Sequence, residues 1–239
     1  MRIKLTKTVI IIPVVNELIN IKKILKKIWK NYSNYTVLII DDDSNDGTKE
    51  WINSLNNKKI IYMRRNKKFG VGDAHTTGIL WAYKNKFSKV VTMDGDLSHN
   101  PYYIKKFIEK SKLNYEFIVS NRYNKKINHY RNWPFIKKLI NKFGRLIIII
   151  LFNIRYDITT GFRLYDLKKI PKKNFLKLRK FKDYEFFIVS GIIFTRKFKV
   201  SEVLINMPYR GSGNSKMAFK HLLIWFLTIF KFRIFGLYI

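Results

Sequence analysis

Strand-length apolar segments alternate with amphipathic segments along most of this chain, and this order restricts the fold more than any other feature. Apolar, β-rich runs occupy residues 8–15, 36–40, 60–64, 89–93 and 117–120, and another follows at 200–207. Residues 19–29 carry apolar side chains at helical spacing with lysines opposite, and 73–85 and 101–112 show the same pattern. This alternation predicts an α/β fold with a Rossmann-like, mostly parallel sheet flanked by helices.

The residues that follow the predicted strands are unusually acidic for this chain. The sequence has 48 Lys and Arg but only 16 Asp and Glu, which gives a formal net charge of +32. Several of these scarce carboxylates nevertheless follow strands, at Glu17, in segment 41–46, at Asp94 and at Asp96. Ligands of parallel sheets bind outside the carboxyl ends of the strands. We therefore expect a ligand site at this edge of the sheet.

A metal site is predicted at Asp94 and Asp96, which lie one residue apart directly after a strand. Both carboxylates can approach one cation there, and Gly95 lets the backbone come close to a ligand. The chain has no cysteine, so the ligands are oxygen or imidazole, which favours Mg²⁺ or Mn²⁺. An isolated Asp-Gly-Asp is more often a simple turn, but its place at the end of a strand favours the metal.

Two further polar segments are candidates for ligand contacts. The acceptor-only side chains of Asp41 and Asp42 suit the base and ribose of a nucleotide, whereas Ser44 and Asp46 are expected to cap a helix. A Gly- and Ser-containing loop near the C-terminus carries Arg210 and Lys216, which could close over a phosphorylated ligand. An ordinary surface loop is the alternative in so basic a chain.

The ordered set of motifs resembles family 2 glycosyltransferases, specifically the polyprenyl-phosphate (dolichyl-phosphate) mannose synthases. The resemblance extends from about residue 8 to residue 216 and rests on segments 11–17, 39–48, 70–72, 93–101, 121–123 and 160–165. It implies the GT-A fold, a catalytic domain over residues 1–216 and an apolar, membrane-associating segment over residues 217–239.

The resemblance also implies roles for single residues. The positions that would hold the nucleotide sugar are Pro13, Val15, Glu17, Ile40, Asp42, Asp94, Gly95, Asp96, Arg122, Arg210 and Lys216. Among these, Ile40 would line the base, Asp94 and Asp96 would hold the metal, and Arg122 would contact the sugar diphosphate. The positions that would serve catalysis are Asp96, Arg122, Arg210 and Lys216.

Three positions depart from the family pattern. Val15 stands where the family often has Tyr, so stacking on the base or ribose is expected to be lost. Gly95 stands where Ala is usual. Ser98 stands where Gln often assists the metal, which leaves that ligand open.

Two apolar runs flanked by basic residues, 146–152 and 221–230, are each too short to cross a bilayer. They suit helices that lie in the membrane interface, and core helices are the alternative. The resemblance implies amphipathic interfacial helices near a lipid acceptor. No signal peptide is evident at the N-terminus, so we expect a peripheral protein on the cytoplasmic face of a membrane, with a membrane partner subunit as a further expectation.

The expected activity is an inverting transfer of a hexose, mannose from GDP-mannose, to a polyprenyl phosphate. A phosphate monoester is already anionic, so no general base is needed and His75 and His99 are expected to be structural or peripheral. One alternative is a UDP-sugar donor or a hydroxyl acceptor, for which Asp183 or Glu185 would be the base. A basic nucleic-acid or membrane-surface binding protein is the other, but no nucleic acid is expected because no recognised motif is present.

Overall fold

The computed structural model describes residues 7–123, 134–208 and 219–236. Seven strands form one sheet in the order β3-β2-β1-β4-β6-β5-β7. The strands are β1 (Thr8–Val14), β2 (Thr36–Asp42), β3 (Ile60–Arg65), β4 (Lys89–Thr92), β5 (Phe117–Asn121), β6 (Arg163–Asp166) and β7 (Val200–Leu204).

Eight helices are present in the described part of the chain. They are α1 (Leu18–Tyr32), α2 (Thr48–Ser54), α3 (Val71–Lys84), α4 (Ile104–Lys112), α5 (Phe135–Phe152), α6 (Lys172–Leu178), α7 (Glu185–Lys197) and α8 (Phe219–Phe235). A short 3₁₀ turn, Pro101–Tyr103, precedes α4, and the side chain of Asn100 caps it by accepting from the amide of Tyr102.

The sheet is mostly parallel, which confirms the predicted fold class. Strand β1 pairs in parallel with β2 and β4, β2 with β3, and β5 with β7. Among the strands in the described residues, only β6 is antiparallel, to both β4 and β5. Because β6 runs the opposite way, the loop before it lies at the edge where its neighbours end.

Alternating side chains of the central strands build a core on each face of the sheet. Ile10 and Ile12 pack with the buried face of α1, while Val9 and Ile11 pack with α3. Helix α3 lies directly on the sheet at Gly78, where a Cβ atom would lie 2.7 Å from Ile11 Cγ2. A larger residue there would push the helix away from the strand ends.

A third apolar cluster joins α5, α7 and α8. Ile148 and Phe152 of α5 are buried with Trp225 and Ile229 of α8, and the Trp225 ring packs closely on Gly144. The opposite faces of both helices expose large apolar side chains: Phe135, Ile136, Phe143, Leu146, Ile150, Leu223, Ile224, Leu227, Phe230, Ile234 and Phe235. One face of each helix therefore belongs to the core, and the role of the exposed face at a membrane interface stays a prediction.

A search of the described helices found none that combines the length and apolar character needed to cross a membrane.

Candidate active site

A cavity of about 770 Å³ opens at the carboxyl edge of the parallel strands. Eight of the predicted positions line it: Pro13, Val15, Glu17, Asp42, Asp94, Gly95, Asp96 and Arg122. Ile40 does not. Its side chain is fully buried on the α3 face of the sheet, so it packs in the core and cannot line a bound base. Arg210 and Lys216 lie outside the described residues.

The loops after β1 and β2 are held together by side-chain hydrogen bonds. The Asn16 amide donates to Ser44 Oγ at 2.8 Å, and the Leu18 amide at the start of α1 donates to Asp46 Oδ2 at 2.8 Å. Asp46 Oδ1 also accepts from the amide and hydroxyl of Thr48 at the start of α2. Both side chains are therefore structural, but only Asp46 accepts from amides at the start of helices, whereas Ser44 joins the two loops and caps no helix.

Both carboxylate oxygens of Asp41 accept hydrogen bonds inside the protein. Its Oδ1 accepts from the Ser44 amide at 2.8 Å and its Oδ2 accepts from the Tyr62 hydroxyl at 2.6 Å. The side chain is completely buried. Of the two carboxylates expected to reach a nucleotide, only Asp42 lines the cavity.

Asp42 is paired with a buried arginine that the sequence analysis did not single out. Arg65 Nε lies 2.5 Å from Asp42 Oδ1 and Arg65 Nη2 lies 2.6 Å from Asp42 Oδ2. Arg65 Nη1 also binds Asp73 in the first turn of α3. Burial raises the pKa of Asp42, and the hydrogen bonds and charge of Arg65 only partly oppose that rise. Arg65 thus fixes the Asp42 carboxylate and joins it to α3.

The turn after β4 places both predicted metal ligands in the cavity. Asp96 Oδ1 accepts from the amide of Ser98 at 3.0 Å and from its hydroxyl at 2.6 Å. Ser98 therefore orients Asp96. A Cβ atom at Gly95 would approach Val14 Cγ1 to 3.0 Å and Pro13 O to 3.1 Å, so the glycine lets this turn lie against the end of β1.

A divalent cation fits the donor set of this turn. No group of three or more His, Asp or Glu side chains in residues 7–123, 134–208 and 219–236 is arranged to hold a metal by itself. Mg²⁺ and Mn²⁺ are commonly bound by one or two carboxylates together with substrate phosphates and water. Asp94 and Asp96 supply that number of carboxylates, and a bound cation would offset the repulsion between them and a diphosphate placed beside them.

Arg122 lines the cavity, and hydrogen bonds to Asp157 and Thr159 hold its guanidinium in place. Its Nε donates to Asp157 Oδ2 at 2.7 Å, and its Nη2 donates to Asp157 Oδ1 at 3.0 Å and to Thr159 Oγ1 at 2.5 Å. Burial alone would raise the pKa of Asp157, but the Arg122 guanidinium outweighs it and holds that pKa below its ordinary value. Asp157 was missed because its loop precedes the antiparallel strand β6, which showed no strand pattern.

The loop that carries Asp157 is held in place by a buried arginine, Arg163. Arg163 is fully buried, and its five hydrogen bonds within the described residues all reach neutral oxygens. These include the carbonyls of Ile158 and Thr160 in the loop and the carbonyl of Phe187 in α7. Arg163 therefore holds the loop, α7 and β6 in one arrangement beneath the cavity.

A histidine and an aspartate face each other across another part of the cavity. His221 of α8 lies with its Nε2 3.9 Å from Asp183 Oδ2, and both residues line the cavity. Glu185 begins α7 and accepts from the Asp183 amide at 3.2 Å. It does not line the cavity, so the structure separates the two acidic residues that the sequence left as alternatives.

The wall that α5, α7 and α8 contribute to the cavity is mainly apolar. Its apolar side chains are Ile136, Ile140, Phe187, Ile188, Leu222, Trp225 and Phe226, and Lys137, Asn141, Arg145 and His221 of the same helices also line the cavity. The carboxylate-bearing strand ends and this apolar wall border the same space.

Comparison with known families identifies the class of enzyme. The sequence profile of Glycosyl transferase family 2 matches residues 9–204, which include the seven strands except for Thr8, the first residue of β1. The chain belongs to this family. It is therefore a glycosyltransferase, and the matched segment contains the acidic strand ends together with Arg122 and Asp157.

Curated members of family 2 are similar over most of the chain. Polyprenol monophosphomannose synthase of Mycolicibacterium smegmatis is 29% identical over 89% of this chain and 81% of that protein. Dolichol-phosphate mannosyltransferase of Pyrococcus furiosus is 30% identical over 94% of this chain, which spans 63% of that longer protein. Undecaprenyl-phosphate mannosyltransferase of Micrococcus luteus is 29% identical over 87% of this chain and 86% of that protein.

A solved family-like structure confirms the GT-A fold. Glucosyl-3-phosphoglycerate synthase from Mycobacterium tuberculosis, in complex with Mn²⁺ and UDP, superposes with a TM-score of 0.66 at 13% identity. The match covers 95% of this chain and 80% of that one. Another structure of the same synthase contains Mg²⁺ and UDP. The two proteins therefore share a fold, and the synthase of that fold binds a divalent metal together with UDP.

Proposed function

We propose that this glycosyltransferase moves a mannosyl group from GDP-mannose to a polyprenyl phosphate. The observation that carries the proposal is the two-sided cavity, in which carboxylates at the strand ends face an apolar wall of α5, α7 and α8. A water-soluble donor suits the first side and a prenyl chain suits the second. The three mannosyltransferases similar to this chain are named for polyprenyl, dolichyl or undecaprenyl carriers, which supports the same acceptor class.

On the donor side, the nucleotide would lie along the ends of β1 and β2. That part of the cavity is lined by Pro13, Val15 and Glu17. Asp42, which is held in place by hydrogen bonds from Arg65, presents acceptor oxygens there. Val15 has no ring, so the stacking that a Tyr would provide is absent at this position. The base would instead be recognised through hydrogen bonds to carboxylate and backbone groups.

Asp94 and Asp96 would hold Mg²⁺ or Mn²⁺, which when bound neutralises charge on the departing nucleotide diphosphate. Gly95 lets the turn that carries both carboxylates lie against the end of β1. Arg122 presents its guanidinium from a site fixed by Asp157 and Thr159, so little ordering of this side chain is required when substrate binds. Arg210 and Lys216 remain proposed phosphate contacts.

On the acceptor side, the lipid phosphate would approach the anomeric carbon from the face opposite the leaving diphosphate. Its oxygen is anionic near neutral pH, so no protein group has to remove a proton. The prenyl chain would lie against Ile136, Ile140, Leu222 and Trp225 of the apolar wall. This geometry gives inversion at the anomeric carbon.

The protein would meet its acceptor at a membrane surface. The exposed apolar faces of α5 and α8 lie beside basic residues of the same helices: Lys137, Lys138, Lys142, Arg145, Lys231 and Arg233. Apolar side chains would enter the interface while the cations contact acidic head groups. We propose peripheral attachment to the cytoplasmic face.

The decisive assay compares donors and acceptors in one format. Purified protein is incubated with labelled GDP-mannose, UDP-glucose or UDP-N-acetylglucosamine, with and without a polyprenyl phosphate, and label in the lipid phase is counted. We expect GDP-mannose label to become lipid-soluble only with the phosphate and to be lost on adding a chelator. Transfer from a UDP-sugar alone would refute the donor, and transfer to the dephosphorylated polyprenol would refute the acceptor.

The pair Asp183 and His221 favours a second candidate, transfer to a hydroxyl acceptor. A carboxylate in the cavity beside an imidazole is the kind of group that removes a hydroxyl proton. Asp183→Asn should leave transfer to a lipid phosphate largely intact, whereas a hydroxyl acceptor predicts a rate loss of about 10²- to 10⁴-fold. Glu185→Gln is the matched control, because Glu185 does not line the cavity.

A further inference from the structure

A histidine that follows the turn with the two predicted metal ligands holds the first residue of that turn. The backbone amide of Asp94 donates to His99 Nδ1 at 2.9 Å. The His99 ring is fully buried and stacks on Phe162, with 5.0 Å between ring centroids. Phe162 is itself packed on Phe107 at 4.6 Å. His99 is therefore a rigid acceptor aimed at the first residue of the turn.

The direction of this hydrogen bond determines where the imidazole carries its proton. A backbone amide can only donate, so Nδ1 accepts and the ring proton of neutral His99 lies on Nε2. Within the described residues, His99 Nε2 is buried and has no hydrogen-bond partner. Burying an unpaired donor is unfavourable, so an apolar ring would suit this pocket better if packing were the only requirement. The presence of a histidine here is explained by the hydrogen bond that its Nδ1 accepts from the Asp94 amide.

The turn needs such an anchor because its backbone is strained. Leu97 has a φ of 67°, in the left-handed region that a branched side chain rarely adopts. Ser98 fixes Asp96 by donating to Oδ1, and His99 fixes Asp94 through its amide. With both ends held, the carboxylates of Asp94 and Asp96 are kept at one side of the cavity.

We propose that His99 is a positioning residue for the divalent cation, acting through the Asp94 amide rather than by ligating the metal. This inference rests on the metal role in the proposed function. It does not depend on mannose or on a polyprenyl acceptor, because metal binding can be measured without either.

Three variants isolate the Nδ1 acceptor. His99→Asn keeps an acceptor atom at the same branch position, since Asn Oδ1 is bonded to Cγ as His Nδ1 is. His99→Phe keeps a ring to stack on Phe162 and removes the acceptor. His75→Phe is the matched control, because His75 is also fully buried but neither of its nitrogens has a partner in the described structure.

Binding of Mn²⁺ is measured by electron paramagnetic resonance in the presence of GDP or UDP, with thermal unfolding of each variant recorded alongside. We expect His99→Phe to weaken Mn²⁺ binding at least tenfold while remaining folded. His99→Asn and His75→Phe should stay within about threefold of the unaltered protein. Binding by His99→Phe equal to that of the unaltered protein, or by a folded His99→Asn as weak as by His99→Phe, would overturn the proposal.

A second measurement does not require any variant to fold. Long-range ¹H–¹⁵N correlation spectra of the metal-free, unaltered protein report which imidazole nitrogen carries the proton. We expect His99 to be protonated at Nε2 and unprotonated at Nδ1. A proton on Nδ1 would refute the proposal, whether or not the lipid transfer reaction is observed.

Discussion

Replacing Arg65 tests whether the buried ion pairs of this site contribute more to the stability of the protein than an exposed pair does. Its guanidinium bridges Asp42 and Asp73, whose side chains are only 7% and 14% exposed. Removing one partner of a buried pair costs about 3 to 5 kcal/mol, because the charge left behind stays buried. Arg65→Met keeps the apolar stem but removes every donor, so we expect a loss of that size in the free energy of unfolding.

Arg64→Met is a matched control in the adjacent residue. Arg64 Nη2 contacts Asp43 Oδ1 at 2.7 Å, but the two side chains are 40% and 44% exposed. Exposed pairs contribute little to stability, so we expect no measurable loss. Urea unfolding of both variants and of the unaltered protein, at pH 8 and at pH 5, makes the comparison.

The pH dependence provides the sharper test of this reasoning. Burial already raises the pKa of Asp42, and without Arg65 that pKa should rise further. A carboxyl whose folded pKa lies above its unfolded value binds protons more readily in the folded state, so stability increases as the pH falls. The loss in Arg65→Met should therefore be smaller at pH 5 than at pH 8. Equal losses in the Arg64 and Arg65 variants, or a larger Arg65 loss at pH 5, would refute it.

Three further changes test the site. Asp157→Asn should lower the unfolding free energy at pH 7 by about 3 kcal/mol, and the difference should shrink below about pH 4, because the unaltered protein loses this stabilisation as Asp157 is protonated, first in the unfolded chain and then, through its lowered pKa, in the folded protein. Burial lowers the pKa of His75 to about 3, so unaltered protein loses stability as the pH falls below about 6.5, and His75→Phe should flatten this part of the unfolding curve. Asp96→Asn should reduce transfer about 100-fold or more with an unchanged unfolding midpoint, and activity that persists with a chelator would contradict the metal role.

The parallel part of the fold could be predicted because its strands are buried on both faces and read as continuous apolar runs. Strand β6 could not, since Arg163–Asp166 is four residues long and begins and ends with charged residues. Helix α7 was also missed. Its residues from Phe186 to Phe194 are buried on every side, so the segment has no amphipathic period.

The site was predictable where it follows the strand-end rule. Asp42, Asp94 and Arg122 each follow or end a strand of the same direction, so they meet at one edge without knowledge of the loops. Ile40 shows the limit of this rule, since alternation along β2 turns its side chain towards α3.

Residues that act as partners were not predictable from spacing. Asp157 is 35 positions from Arg122, and Asp183 reaches the cavity only because α7 packs beneath it. The pairing of Arg65 with both Asp42 and Asp73 likewise depends on where α3 begins relative to the end of β3. Such contacts are set by tertiary packing and leave no periodic signal.

Helix α8 changes how attachment to the membrane should be tested. Deleting the chain after residue 216 would remove all of α8. The structure shows that Leu222 and Trp225 line the cavity and that Trp225 packs on Gly144 of α5, so deletion should open the site to any acceptor. Replacing the exposed Leu227 and Phe235 with Ser keeps the cavity side of α8 intact.

These two replacements should weaken binding to vesicles of acidic lipid, because less apolar surface enters the interface. Transfer to a long polyprenyl phosphate in vesicles should fall at least tenfold, while transfer to a short-chain soluble phosphate should stay within about twofold. Equal losses with both acceptors would show that the exposed face of α8 supports the cavity rather than the membrane contact. Unchanged vesicle binding would remove α8 from the membrane surface and leave the exposed face of α5 as the remaining candidate.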